Sequence, residues 1–292
     1  MQEILVTGGS GQVGSYLKDY AWPDGLTSFC PSRSELDISD PASIASLMAR
    51  RPFLAVINCA AYTGVDKSES EGVTAWKANA LGPAALAAET ASRRVPLLHV
   101  STDYVFQGDK HQPYQPNDPV GPIGVYGASK EVGEQAVRTG NPCHVIVRTA
   151  WVVSSRGQNF VKTMLRLGAE RPHLRVVDDQ LGTPTHARDL AEALAAMALT
   201  HIRHPDAPVG TFHFTNAGET SWYGVANAIF EAAARFGRPA PSLEAITSAL
   251  YPTPARRPLN SRLDLTHTKA TWSLEPRSWV QAIEDIVAEL LG

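Results

Sequence analysis

The chain has 292 residues, 43% apolar and 19% charged, the balance of a folded protein with a sizeable core rather than a disordered one. Its net charge is −3 and it has no long basic run, so nucleic-acid binding is not expected. The start "MQEILVTGGSG" lacks a signal-peptide pattern, no apolar run reaches membrane-spanning length, and the three cysteines (Cys30, Cys59, Cys143) are widely spaced in apolar company. These features predict a cytoplasmic protein with free thiols, no metal site and no membrane contact.

In chain order, "EILVTG" reads as a buried strand, "QVGSYLKDY" as a helix and "TSFC" as a second strand. "DPASIASLMARR" is a helix with Asp40 as its cap and Pro41 at its first position. Then follow "LAVINCA" (strand), "TAWKANALGPAALAAETASRR" (one long helix), "PLLHVSTDYVF" (strand), "SKEVGEQAVRT" (helix) and "CHVIVRTAWVV" (strand). These strands are continuously apolar, as when helices cover both faces of a sheet. The alternation predicts an α/β fold with a doubly wound, Rossmann-type parallel sheet.

Past residue 150 the helical runs "NFVKTMLRLGAE", "ARDLAEALAAMALTH", "SWYGVANAIFEAAARFG" and "SWVQAIEDIVAELL" are amphipathic. Strand-like "LRVVDD" and "TFHFTN" and the segment "YPTPARRPLNSRL" lie among them. The division expected is a dinucleotide-binding domain over 1–150, to which part of 174–200 returns, and a smaller C-terminal α/β substrate lobe formed mainly by 151–292.

"TGGSGQVG" sets Gly8, Gly11 and Gly14 three apart between the first strand and the first helix. That is the setting of a dinucleotide fingerprint, in which glycines allow close backbone approach and free N–H groups meet a pyrophosphate. A plain strand–helix turn is the competing reading. The second strand ends in "FCPSRSELD", with no acid at Cys30 and an arginine at Arg33. An acid there would hold both ribose hydroxyls, whereas an arginine accommodates a 2′-phosphate, so NADPH is the expected cofactor. Arg33 as a solvated loop charge fits as well. Asp37 and Ile38 are placed to border the adenine.

Tyr126 and Lys130 in "VYGASK" are four apart, hence on one helical face. With 8 tyrosines in the chain, chance supplies roughly 0.2 such pairs, so the spacing gains weight mainly from following the fourth strand. A phenol beside an ammonium can serve a ketone reduction as proton donor, the ammonium lowering its pKa. The fourth strand ends in Ser101, Thr102 and Asp103, where a parallel sheet presents ligands, and a hydroxyl there can bond a substrate carbonyl. A threonine satisfying a turn is the commoner role. "NCAAYT" ends the third strand with small residues suited to close approach of a ribose. Asn79 sits in the following helix in apolar company, unusual for an asparagine.

"TGGSGQVG", "NCAAYTGVDKSE", "STDYVFQG" and "YGASK" together resemble the extended short-chain dehydrogenase/reductases. More narrowly, "DDQLGTPT", "SWYGVANAIFEAA" and "YPTPARRPLNSRL" resemble the dTDP-4-dehydrorhamnose reductase family, from about residue 3 to the final helix. The resemblance implies a nucleotide-sugar substrate whose 4-keto group is reduced. It implies Tyr126 as general acid, Lys130 as its partner on the cofactor ribose, and Thr102 as the third hydroxyl. Gly11, Gln12 and Val13 would lie on the pyrophosphate, Asp37 and Ile38 near the adenosine, and Ala61, Tyr62 and Thr63 along the cofactor. Thr102, Asp103 and Trp151 would meet the sugar; from the residue alone, Trp151 reads as a core tryptophan.

The chain departs from that family in several places. Members that prefer NADH often carry an acid at the position of Cys30, which favours NADPH here and leaves NADH use open. Gly124 stands where an asparagine is common, and Pro116 where an acid is common. Tyr16 and Arg188 replace glutamates that hold a subunit-bridging magnesium in some relatives, so any homodimer would lack that bridge. Arg256, Arg257 and Arg262 suit either a substrate diphosphate, with Arg257 as the candidate, or carboxylates that pin the lobes. Two alternatives stand: a reductase of a related keto sugar nucleotide, and a non-catalytic subunit like the regulatory β-subunit of methionine adenosyltransferase. Intact Thr102, Tyr126 and Lys130 argue against the second.

Overall fold

A computed structural model describes residues 1–292. Strand β1 (Gln2–Thr7) turns Leu5 to one face of a sheet and Ile4 and Val6 to the other, all fully buried. Helix α1 (Gln12–Lys18) follows, then β2 (Leu26–Phe29), which stops before Cys30. Helix α2 (Pro41–Arg50) starts as its sequence predicts: the Asp40 side chain accepts a hydrogen bond from the Ala42 N–H, and Pro41 occupies the first turn.

After β3 (Phe53–Asn58) come the short helices α3 (Val65–Ser68) and α4 (Gly72–Trp76), then α5 (Gly82–Ser92). The single long helix expected across this region is not uniform, because Lys77–Leu81 widens into a π-helical turn. Pro83 is the physical reason. It has no N–H for the carbonyl of Asn79 four residues earlier and its ring crowds that carbonyl; the wider turn relieves both.

Strand β4 (Leu97–Thr102) ends at Thr102 and passes into one 3-10 turn rather than running on to Phe106. Helix α6 (Val125–Gly140) begins early enough to contain Tyr126 in its first turn. Strand β5 (His144–Thr149) also stops short of the apolar run that predicts it. Trp151 takes a left-handed conformation, φ 48°, which no strand accommodates, and the chain resumes as β6 (Val152–Val153).

The remaining elements are α7 (Phe160–Glu170), β7 (His173–Val177), β8 (Leu181–Gly182), β9 (Thr185–His186) and α8 (Ala187–Arg203), then β10 (Gly210–His213), β11 (Thr220–Ser221), α9 (Trp222–Ala234), β12 (Ser242–Ile246), α10 (Thr266–Trp272) and α11 (Trp279–Leu291). Six strands form the main sheet in the order β10-β5-β4-β3-β1-β2, every pair parallel. Thus "TFHFTN" adds the strand beside β5. Strand β7 pairs with β12 in a separate sheet instead.

Alternation along the strands builds two cores. Ile4, Val6, Ile57, Leu98, Val145 and Val147 pack with α1 and α8. On the other face Leu5, Val56, Leu97 and Ile146 meet Ile44 and Leu47 of α2, Leu86 of α5 and Val137 of α6. Covering both faces removes apolar surface from water at about 25 cal/mol per Å2, which explains why these strands read as unbroken apolar runs. A third core unites α7, α9 and α11 over β7. No helix is long and apolar enough to cross a membrane. Because all six main strands run the same way, Thr7, Asn58, Thr102 and Thr149 arrive together at one edge of the sheet.

Candidate active site

A cleft of about 780 Å3 opens at that edge, bordered by the glycine loop on one side and by Trp151 and Trp222 on the other. Its size is that of an ordinary small-molecule site. Of the residues singled out above, Gly8, Gly11, Gln12, Val13, Gly14, Arg33, Asp37, Ile38, Ala61, Tyr62 and Thr63 line it. So do Thr102, Asp103, Tyr126, Lys130 and Trp151, whereas Arg257 does not.

The glycine loop is sterically committed. Gly8 has φ 71°, and a Cβ on it would come within 2.8 Å of the Ala60 backbone. A Cβ on Gly14 would lie 2.2 Å from the Gly8 carbonyl. The loop therefore keeps its backbone bare toward the cleft, and Gly11, at the cap of α1, places no side-chain cap on the helix. This cradle fits a dinucleotide pyrophosphate. The Gln12 side chain is already engaged elsewhere, donating to the Val152 carbonyl at 3.3 Å and accepting from Ser154 at 2.8 Å and Asn159 at 3.0 Å. It ties the loop to the second half of the chain, leaving only its backbone for a phosphate. Beyond β2, Arg33 is 81% exposed and 3.7 Å from Asp37. Hydrogen bonds from the Ser39 hydroxyl and N–H hold the Asp37 carboxyl below the usual range.

Tyr126 rises from the first turn of α6 and stands edge-on to Tyr104, ring centres 5.4 Å apart. The Thr102 hydroxyl ends β4, donating to Asp103 Oδ1 at 3.0 Å and accepting from the Tyr104 N–H at 3.2 Å. Lys130, 2% exposed, donates from Nζ to the Val100 carbonyl at 2.7 Å. Burial depresses Lys130 to about 8, with Glu134 and Cys59 pulling the other way.

The phenol corrects one expectation. Lys130 was expected to lower the pKa of Tyr126, but burial dominates and pushes it up to about 12; a hydrogen bond with Thr102 opposes this and the Asp103 charge adds to it. Tyr126 is therefore fully protonated at neutral pH. Asp103 is raised to about 6, again chiefly by burial, against hydrogen bonds from Ser261 and Thr102, and its Oδ2 has no partner within the protein.

Three devices hold α6 in place. Asn79, in the π turn, donates to Ser129 at 3.0 Å and clamps both backbone groups of Tyr62. Glu134 and Arg148 form a bidentate pair, 2.9 and 2.7 Å, with side-chain exposures of 0% and 2%. At the helix start, Gly124 offers no cap of its own, and Glu69 supplies one by accepting from the Val125 N–H at 2.9 Å. A Cβ at position 124 would lie 2.8 Å from that carboxylate, so the glycine makes room for it.

Trp151 is a cleft wall rather than a core residue. Its ring stacks on Trp222 at 3.8 Å, and a Cβ on Gly182 would strike it at 2.6 Å. Trp222, Asn159 and Phe160 line the cleft with it; Trp222 falls in "SWYGVANAIFEAA", a segment of the family resemblance that does not single it out, and Asn159 and Phe160 carry no motif that marks them. The arginine segment divides. Arg262 bonds Asn260, Glu219 and the His111 carbonyl, which pins that segment down. Arg257 pairs with Asp66 at 2.8 Å and keeps Nη1 unpartnered, and Arg256 is exposed. Arg188 pairs with Glu289 and lies over the Tyr16 ring.

The sequence model of the RmlD substrate binding domain matches residues 1–291. A dTDP-4-dehydrorhamnose reductase of Sinorhizobium fredii is 41% identical over 289 residues, covering 99% of this chain and 97% of that protein. The crystal structure of a dTDP-4-dehydrorhamnose reductase from Clostridium acetobutylicum superimposes with a TM-score of 0.92 at 35% identity, covering 99% of both chains. The Bacillus anthracis reductase, solved in complex with NADP, gives 0.91 at 33% identity over 99% of this chain and 100% of that one. Matched end to end in sequence and in fold, this chain belongs to the RmlD substrate binding domain family, that of the dTDP-4-dehydrorhamnose reductases.

Proposed function

We propose that this protein reduces the 4-keto group of dTDP-4-dehydro-β-L-rhamnose to give dTDP-L-rhamnose, with NADPH as reductant. The observation that carries the reading is the meeting of Thr102, Tyr126 and Lys130 with the glycine cradle in one cleft, in a chain whose full-length relatives bear that activity in their names. Residues 1–150, with returning segments of the second half, hold the cofactor; the remainder of 151–292 closes on the sugar nucleotide.

Backbone N–H groups of Gly8, Gly11, Gln12, Val13 and Gly14 take the pyrophosphate, Arg33 the 2′-phosphate, and Asp37 and Ile38 the adenosine. Ala61, Tyr62 and Thr63 border the rest of the cofactor. When bound, NADPH supplies the hydride for C4. Tyr126 keeps a proton on its phenol oxygen and gives it to O4 as that atom gains charge, and the Thr102 hydroxyl, turned from Asp103 Oδ1, donates to the same oxygen. Lys130, fixed by Val100, turns its remaining N–H groups to the ribose. Trp151 on Trp222 forms an apolar wall for the sugar and Asp103 accepts from a sugar hydroxyl, whereas Arg257, outside the cleft and paired with Asp66, takes the alternative role of pinning its segment.

The protein is read as cytoplasmic, and any homodimer would lack the magnesium bridge, since Arg188 pairs with Glu289 and lies over the Tyr16 ring where some relatives carry glutamates. The test is a panel of keto sugar nucleotides with NADPH and NADH, read by loss of nicotinamide absorbance and by product mass. Turnover of the rhamnose precursor with NADPH preferred is expected; inactivity on that substrate with turnover of another overturns the reading.

A further inference from the structure

Behind Lys130 a row of polar side chains crosses the three neighbouring strands β1, β3 and β4. Thr7 Oγ1 lies 2.5 Å from Asn58 Oδ1, Asn58 Nδ2 lies 2.9 Å from His99 Nδ1, and His99 Nε2 lies 3.4 Å from Lys130 Nζ. Their exposures are 1%, 1%, 0% and 2% in that order. Leu97 and Leu98, beside His99, are wholly buried core residues. A polar row in such a place is stabilising only when every member is satisfied, which makes its proton arrangement specific.

Burial, helped by the Lys130 charge, keeps His99 well below the usual histidine range, so its ring is neutral and holds one proton. The site of that proton decides what Lys130 can be. With the Asn58 amide nitrogen on Nδ1, that ring nitrogen accepts and Nε2 carries the proton toward Nζ. Only a neutral amine can accept it. With the amide turned over, its carbonyl takes Nδ1–H, Nε2 becomes an acceptor, and Lys130 donates to it as an ammonium. Lys130 donates to Val100 in both forms. The other groups acting on it are Glu134 on its own helix and Cys59 at the end of β3, both favouring the ammonium against burial, and these opposing effects leave it near 8. So close to neutrality, a single acceptor tips the balance.

We propose that Thr7, Asn58 and His99 form an array that sets the charge of Lys130, with His99 as a positioning residue whose ring tautomer and the Asn58 amide orientation switch together. The inference rests on Lys130 serving the reductase site, but its test does not need turnover. The full-length protein without cofactor is labelled with ε-13C lysine, the Lys130 signal is identified by its loss in Lys130→Arg, and its titration is followed by NMR. His99→Leu removes the acceptor and should lower the Lys130 midpoint by about one pH unit; Asn58→Asp, an obligatory acceptor for Nδ1–H, should raise it by about one unit. His99→Gln, whose side-chain carbonyl can still accept, should stay near the parent. Should His99→Leu fail to fold, the raised midpoint in Asn58→Asp beside an unmoved one in His99→Gln carries the test, and a His99→Gln midpoint displaced by a full unit overturns the array.

In turnover of the keto sugar nucleotide the alkaline limb of kcat should move in the same order. An unmoved Lys130 midpoint, or shifts of the same sign in His99→Leu and Asn58→Asp, overturns the array. Shifts of opposite sign without any keto-sugar reduction would uphold the array and refute the functional reading instead.

Discussion

Glu69→Ala should loosen the start of α6 one residue before the general acid. In the native protein the Val125 N–H, at the first turn of a 16-residue helix, is accepted by Glu69 at 2.9 Å, and no side chain at Gly124 shares that task. Losing an N-terminal cap costs about 0.5–2 kcal/mol. Glu69 is exposed, so water replaces part of the bond, and the lower half of the range, about 0.5–1 kcal/mol, is expected. Freedom in that turn also lets the Tyr126 hydroxyl drift from its working position, which should lower kcat by roughly three- to tenfold with little change in KM.

Gly124→Asn provides the control, because asparagine caps the same helix locally. Alone it should be close to neutral, since its Cβ would displace the Glu69 carboxylate, the free end of a flexible side chain, while its own amide oxygen caps the same turn through the Tyr126 or Gly127 N–H. Combined with Glu69→Ala it should recover both losses. Urea unfolding and steady-state kinetics of the four proteins measure the coupling. Strict additivity, with the double variant no better than Glu69→Ala in either assay, would refute the cap between segments.

Other residues give separate tests. Tyr126→Phe should lower kcat by about 100-fold or more while cofactor affinity, read by fluorescence titration, stays near the parent. Arg33→Ala should weaken NADPH by about tenfold and leave NADH unchanged, since the side chain is 81% exposed and free to meet an added phosphate. Asp103→Asn should stabilise the protein above pH 6. The native carboxyl titrates near 6 against about 4 when unfolded, so between those values the native state holds the extra proton and stability falls as pH rises, by about 3 kcal/mol at most. The asparagine variant escapes that loss, showing no advantage below pH 4 and the full advantage above pH 6 in urea titrations.

Much of this site is written locally. The turn of "TGGSGQVG", the apolar strands and the Tyr126–Lys130 spacing each depend on residues within a few positions, and local sterics and periodicity suffice to read them. Sheet membership does not follow that rule. "TFHFTN" looks like any short strand, and only the packing of α8 and β5 places it in the main sheet. The π turn needed the pairing of Pro83 with the carbonyl of Asn79, a backbone donor count that side-chain patterns do not display. Trp222 meets Trp151 across 71 residues of chain, and Glu69 caps a helix 56 residues away, so neither contact leaves a local mark. The Tyr126 phenol shows a different gap. Spacing placed an ammonium on its face of the helix, but only the structure showed that burial governs the phenol and that Nζ is held by Val100.

The raised phenol pKa keeps the proton donor for ketone reduction in place at neutral pH. In ketone reduction Tyr126 has only to be protonated at the outset and to meet a stronger base, and the oxygen left after hydride addition is an alkoxide, far more basic than a phenolate even at a pKa of about 12. The transfer therefore remains downhill, and the donor is fully charged with its proton at neutral pH. Oxidation would ask the same residue to begin as a phenolate, which burial opposes. Asp103, with an unpartnered Oδ2 and a pKa near 6, acts in the same sense, because its negative charge beside the phenol disfavours the phenolate further. Keeping Tyr126, Lys130 and Asp103 out of water thus costs stability but holds the phenol in its protonated form, and the buried Glu134–Arg148 pair and the Asn79 clamp hold the helix that carries the first two.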